Sequence, residues 1–140
     1  MSERPTISLF GLGKLGSCMA ACFAARGFRV IGVDVNRRTV DLINNLETPI
    51  YEPGLEELFR KCDGRLTATG DGGMAVAESD VTFVVVPTPS DSDGRFSLDY
   101  VRSACEEIGA ALKAKQSWHL VVVTSTVMPG DIDGDILPLL

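Results

Sequence analysis

The reading of this chain turns on one stretch, Thr6-Ile7-Ser8-Leu9-Phe10-Gly11-Leu12-Gly13-Lys14-Leu15-Gly16. Its first five residues are apolar and partly β-branched, and they read as a strand. Glycines follow at once in the spacing G-x-G-x-x-G. Residues 15–26, rich in alanine and closed by Gly27, then read as a helix. The glycine pattern alone is weak; its place between a strand and a helix gives it force. Gly11 permits the tight turn, Gly13 lets the backbone approach a pyrophosphate, and Gly16 lets the helix lie close to the strand. Free N–H groups and the positive end of the helix dipole then face the phosphates. A tight turn without a ligand is the plain alternative.

Working outward, residues 29–33 form a second apolar strand that ends on Asp34, 18 residues after Gly16. A carboxylate there accepts hydrogen bonds from an adenosine ribose and repels a 2′-phosphate, which favours NAD over NADP. Arg37 and Arg38 follow, and a nearby arginine can accommodate that phosphate. Asn36 suits the N-cap of a helix reaching about residue 45. Beyond it the reading alternates: a short helix at 55–61, a strand at 65–69, a helix at 74–78 and an apolar strand at 81–86. A loop at 87–95, an amphipathic helix at 98–115, a strand at 119–124 and a helix from 130 onward complete it. Strands alternating with helices predict right-handed crossovers and a doubly wound, Rossmann-like α/β parallel sheet. Five strands are present. The apolar end at Asp135-Ile136-Leu137-Pro138-Leu139-Leu140 leads to the expectation of a sixth strand and further domains beyond residue 140.

The chain has 140 residues, 45% hydrophobic and 23% charged, with a net charge of -6. That balance fits one globular domain and disfavours a nucleic acid or an anionic membrane as partner. No run of 18 apolar residues is present. Met1-Ser2-Glu3-Arg4-Pro5 reads as no secretory leader, so the expected location is cytoplasmic. Cys18, Cys22, Cys62 and Cys105 form no C-x-x-C pair, and His119 is the only histidine, so no metal site is read. Cys18 and Cys22 read as small buried residues on one helix face, and Cys105 as core. His119 reads as structural, Trp118 as packed at the sheet edge, and Asp91-Ser92-Asp93-Gly94 as a solvated turn rather than a calcium loop.

Three further motifs follow the strands, where parallel sheets bind ligands. They are Pro49-Ile50-Tyr51-Glu52-Pro53-Gly54-Leu55-Glu56-Glu57-Leu58, Val86-Pro87-Thr88-Pro89 and Ser125-Thr126-Val127-Met128-Pro129-Gly130. With Gly11 to Gly16, Asp34 and Gly64-Arg65-Leu66-Thr67-Ala68-Thr69, they resemble the UDP-glucose/GDP-mannose dehydrogenase family over nearly the whole chain. The resemblance implies an NAD-binding domain of a nucleotide-sugar 6-dehydrogenase. Such an enzyme oxidises the C6 alcohol of a UDP- or GDP-hexose to the uronate with two NAD, through a thioester on a cysteine. It implies cofactor contacts from Gly11, Leu12, Gly13, Lys14, Leu15, Gly16, Asp34, Val86, Pro87 and Thr88. Thr126 would lie near the nicotinamide and act catalytically through a water held by its hydroxyl; its plain alternative is a helix cap. The family carries a basic residue where Thr39 stands, so Arg38 or Thr39 is expected to make that contact.

An aromatic is common where Lys14 stands; the lysine either approaches the pyrophosphate or extends into solvent. Threonine is common where Asp131 stands. The family's cysteine nucleophile belongs to a middle domain, followed by a nucleotide-binding domain, and neither is here. A homo-oligomer is expected of the full-length enzyme. Two alternatives stand beside this reading: a β-hydroxyacid or 6-phosphogluconate type dehydrogenase, and a non-catalytic NAD-sensing module.

Overall fold

Ile7, Ser8, Leu9 and Phe10 are all buried, Ile7 and Leu9 in one apolar cluster and Phe10 in another. A strand without a solvent face belongs inside a parallel sheet. In the computed structural model, which describes residues 4–140, that is where it lies. Met1, Ser2 and Glu3, part of the segment read for a leader, fall outside the described residues.

The elements follow in the order β1 (Ile7–Phe10), α1 (Lys14–Ala25), β2 (Val30–Val33), α2 (Arg37–Asn44), α3 (Leu55–Lys61), β3 (Leu66–Thr69), α4 (Gly72–Ala77), β4 (Val81–Val84), α5 (Asp99–Ala114) and β5 (Leu120–Val123). The five strands pair in parallel in the order β3-β2-β1-β4-β5. The chain runs outward from β1 to β3, then crosses back to β4 on the other side of β1. The carboxyl ends of β1 and β4 therefore part around a crevice, the place where open α/β sheets take ligands.

Each face of the sheet has its own core. On one face Leu9, Val30 and Leu66 pack with Ala20, Ala21 and Ala24 of α1, Ile43 of α2, and Leu55 and Phe59 of α3. On the other, Phe10, Ile31 and Val84 pack with Val76 of α4 and with Val101, Cys105 and Ile108 of α5. Phe59 and Leu9 are fully buried, and truncating either to alanine costs about 2–5 kcal/mol by transfer and cavity terms.

Helix caps follow the sequence. Asn36 accepts the N–H of Arg38, and Asp71 accepts the N–H of Met74. Asp91 closes its own turn, accepting N–H groups of Asp93 and Arg95 at 2.9 Å.

Three expectations are corrected. The final segment is a π-helical turn, Ile132–Ile136, followed by a 3-10 turn, Leu137–Leu139, because Pro138 cannot continue an α-helical ladder. Gly109 lets it lie against α5: a Cβ there would meet the Leu139 carbonyl at 1.9 Å. Cys18 is only half-buried and Cys22 is exposed, since α1 buries the stripe Gly16, Ser17, Ala20, Ala21 and Ala24 instead. Trp118 is 69% exposed rather than packed on the sheet.

Candidate functional site: the crevice at the carboxyl ends of β1 and β4

The turn after β1 opens a cavity of about 450 Å³. Its three glycines are needed for three different reasons. Gly11 has φ +96°, and a Cβ there would lie 2.7 Å from the Val85 carbonyl oxygen, so β4 closes on it. At Gly16 a Cβ would sit 1.8 Å from the Gly11 carbonyl oxygen, so only glycine lets α1 rise this close to β1. Gly13 is the opposite case: a Cβ would meet nothing within 4 Å. Packing therefore does not require glycine at position 13. The open space lies at the start of α1, which has no side-chain cap and no acidic residue in its first turn. An anion placed there receives unpaired backbone N–H groups and the positive helix end, which is the environment a pyrophosphate needs.

Asp34 follows β2 at the rim of the same cavity. Its Oδ2 accepts the Leu12 N–H and its Oδ1 the Asn36 N–H, both at 2.8 Å. These bonds fix the carboxylate against the glycine turn, while each oxygen keeps a lone-pair direction for a ribose hydroxyl. Leu12 itself is buried beneath the turn and packs on Gly32, where any Cβ would press on it at 2.8 Å. Its contribution is its N–H and its packing.

The structure brings most of the named residues together. Gly11, Gly13, Lys14, Leu15, Gly16, Asp34, Val86 and Pro87 line the cavity. Lys14 resolves its two readings in an unforeseen way: Nζ pairs with Glu52 Oε2 at 3.1 Å. That pair ties the glycine turn to the Tyr51-Glu52-Pro53-Gly54 loop, while Tyr51 stays 92% exposed. Arg38 and Thr39 do not line the cavity. A neighbouring groove beside Asp34 is lined by Arg37, Asp41, Thr69 and Gly70 instead. Thr88 is half-buried just past the cavity, and Thr126 is exposed in the loop after β5. Its neighbour Ser125 donates to the Val86 carbonyl at 2.8 Å, so the loops after β4 and β5 are tied together.

Other lining residues gave no sequence signal. Tyr100, Ser103, Ala104 and Glu107 come from α5, and Val35 and Gly70 follow β2 and β3. The spacing 100, 103, 104, 107 is one helical stripe, which in sequence looks like any amphipathic face.

Among the described residues no cysteine lines the crevice. Cys62 and Cys105 are buried, and burial pushes the Cys105 thiol up to about 11. Burial, then the Glu52 charge, raises Cys18 as well. These thiols are held away from the nucleophilic thiolate form. His119 lies at the opposite end of the strands. Its Nε2 is 2.7 Å from Thr82 Oγ1 and its Nδ1 is 3.1 Å from the Ser79 carbonyl oxygen. It is structural. Among the described residues no three His, Cys, Asp or Glu groups are placed to hold a metal, and no helix is long and apolar enough to cross a membrane.

Comparison with known proteins agrees with this geometry. Residues 5–140 match the UDP-glucose/GDP-mannose dehydrogenase family, NAD binding domain. GDP-mannose 6-dehydrogenase of Pseudomonas aeruginosa is 48% identical over 136 residues, which are 96% of this chain and 31% of that protein. UDP-glucose 6-dehydrogenase of Haloferax volcanii is 41% identical over 88% of this chain and 29% of its own length. A crystal structure of a ternary complex of the Pseudomonas aeruginosa GDP-mannose dehydrogenase superimposes with a TM-score of 0.93, covering 95% of this chain and 31% of that one. A UDP-glucose dehydrogenase from Pyrobaculum islandicum gives 0.93 at 41% identity, over 99% and 32%. The chain thus spans about a third of the length of these relatives.

Proposed function

From the premise that this chain belongs to the UDP-glucose/GDP-mannose dehydrogenase family and is its NAD binding domain, we propose that it serves a nucleotide-sugar 6-dehydrogenase. That enzyme oxidises the C6 alcohol of a UDP- or GDP-hexose to the uronate. The observation that carries the proposal is the open space at Gly13, set between an uncapped helix start and a carboxylate fixed by two backbone amides. When bound there, NAD supplies the hydride acceptor. The chain's own residues do the holding. The amides from Gly13 onward take the pyrophosphate, and Asp34 takes the adenosine ribose. Val86, Pro87 and Thr88 border the nicotinamide side, with Thr126 placing a water by its hydroxyl. Arg38 and Thr39 belong to the outer edge of the adenosine site, where Arg37 also stands.

The sugar-binding and thioester-forming groups belong to middle and nucleotide-binding domains outside these residues. The enzyme is cytoplasmic and homo-oligomeric, with no nucleic acid or membrane as partner. Its uronate feeds polysaccharide synthesis. The test is NADH formation by the full-length gene product against a panel of UDP- and GDP-sugars. Two NADH per sugar oxidised supports the proposal; one NADH, or none with any sugar, refutes it.

A further inference from the structure

We propose that Glu107 reads the base of the bound dinucleotide, accepting a hydrogen bond from the exocyclic amine at position 6 of adenine; this rests on the dinucleotide reading above. Asp34 and Gly70, at the ends of β2 and β3, mark the ribose end of the crevice. Glu107 is anchored two residues beyond Gly70, where the Gly72 N–H donates to its Oε1 at 2.8 Å. It therefore stands at the adenosine end.

The room for it is built in. A Cβ on Gly72 would lie 2.6 Å from Glu107 Cδ and Oε1, and 2.6 Å from Phe10 Cε1. Glu107 Oε2 takes no hydrogen bond from another described residue, and the carboxylate makes no ion pair among them. Glu107 is exposed at the edge of the cavity, whose lining includes the apolar residues Val33, Val35 and Ala104 as well as Tyr100. A flat purine fits beside these apolar side chains, and the Glu107 carboxylate at the edge accepts only. It selects a base that offers a donor at position 6. Adenine carries an amine at position 6; hypoxanthine carries a carbonyl oxygen there, which the carboxylate repels. Asp34 does not supply this readout, since the Leu12 and Asn36 amides hold it at the ribose position and its free lone pairs are the ones assigned to the ribose hydroxyls.

The test is calorimetric titration of the chain with NAD and with nicotinamide hypoxanthine dinucleotide. A hydrogen bond to a charged group corresponds to roughly ten- to a hundredfold in affinity, so wild type is expected to favour NAD by at least about tenfold. In Glu107→Gln the amide oxygen keeps the Gly72 bond and the amide nitrogen faces the base as a donor. The NAD preference should then shrink or invert. Equal affinities in wild type, or an unchanged ratio in Glu107→Gln, overturn the proposal. If Glu107→Gln does not fold, Glu107→Asp, with its acceptor withdrawn by one methylene, reads the same ratio, and an unchanged value overturns it. NAD binding without discrimination removes the role of Glu107 alone; binding of neither dinucleotide to wild type removes the cavity reading with it.

Discussion

At the scale of single residues, the three glycines of the turn separate folding from binding. Gly13→Val places its side chain in open space, so the fold should persist with a melting temperature close to wild type. NAD affinity should fall below detection, because the valine occupies the pyrophosphate position; calorimetry beside a thermal melt reads both. Gly16→Val should do the reverse and unfold the chain, since its Cβ meets a carbonyl at 1.8 Å. Asp34→Ala should weaken NAD by roughly ten- to a hundredfold and narrow the gap to NADP. Unchanged preference would argue against the ribose role. Lys14 is well exposed and Glu52 half-buried, so solvent screens their pair and it contributes little to stability, about 0–1 kcal/mol. These positions were legible in sequence because each answers a local demand: a turn, a close approach, an acid at a strand end. Glu107 was not, because its meaning depends on a partner 35 positions away; His119 was legible as structural, but not its partner 37 positions away.

At the scale of elements, the strands and helices were legible because alternation and period separate cleanly here. Boundaries shifted where tertiary contact decides them, as at the final turn laid on Gly109. One element pair carries a pH dependence. His119 Nδ1 faces a carbonyl and so bears the proton, which makes Nε2 the acceptor of the Thr82 hydroxyl. Ser8 then donates to Thr82 at 2.6 Å, and Ser79 to Ser8 at 2.9 Å, so one directed chain of hydroxyls joins β1 and β4 and ends on the imidazole just before β5. Burial, with the Lys115 charge beside it, lowers the His119 pKa. The unfolded chain, with an ordinary value near 6.5, binds the proton more readily. Stability contributed here is therefore whole above about pH 6.5 and is lost as pH falls through the lower folded value. Melting temperatures between about pH 5 and 7.5 should drop on the acid side in wild type. His119→Gln should flatten that drop; a parallel slope in both proteins would place the dependence elsewhere.

At the scale of the whole molecule, five parallel strands carry a crevice equipped to hold a dinucleotide and no thiol beside it. The chain by itself is expected to bind NAD without oxidising a sugar, and NADH formation by the isolated 140-residue chain would contradict that. Fold class was legible from the order of elements, and the site's centre from the glycine turn and Asp34. The α5 wall of the cavity was not, because a helix stripe that lines a ligand has the same period as one that lines a core. The measurement that bears most directly on the central claim is calorimetric titration of this chain with NAD, repeated on Gly13→Val. The account predicts one saturable site in wild type, tighter for NAD than for NADP, and none in the folded variant. No saturable binding in wild type, or equal affinity in Gly13→Val, would contradict it.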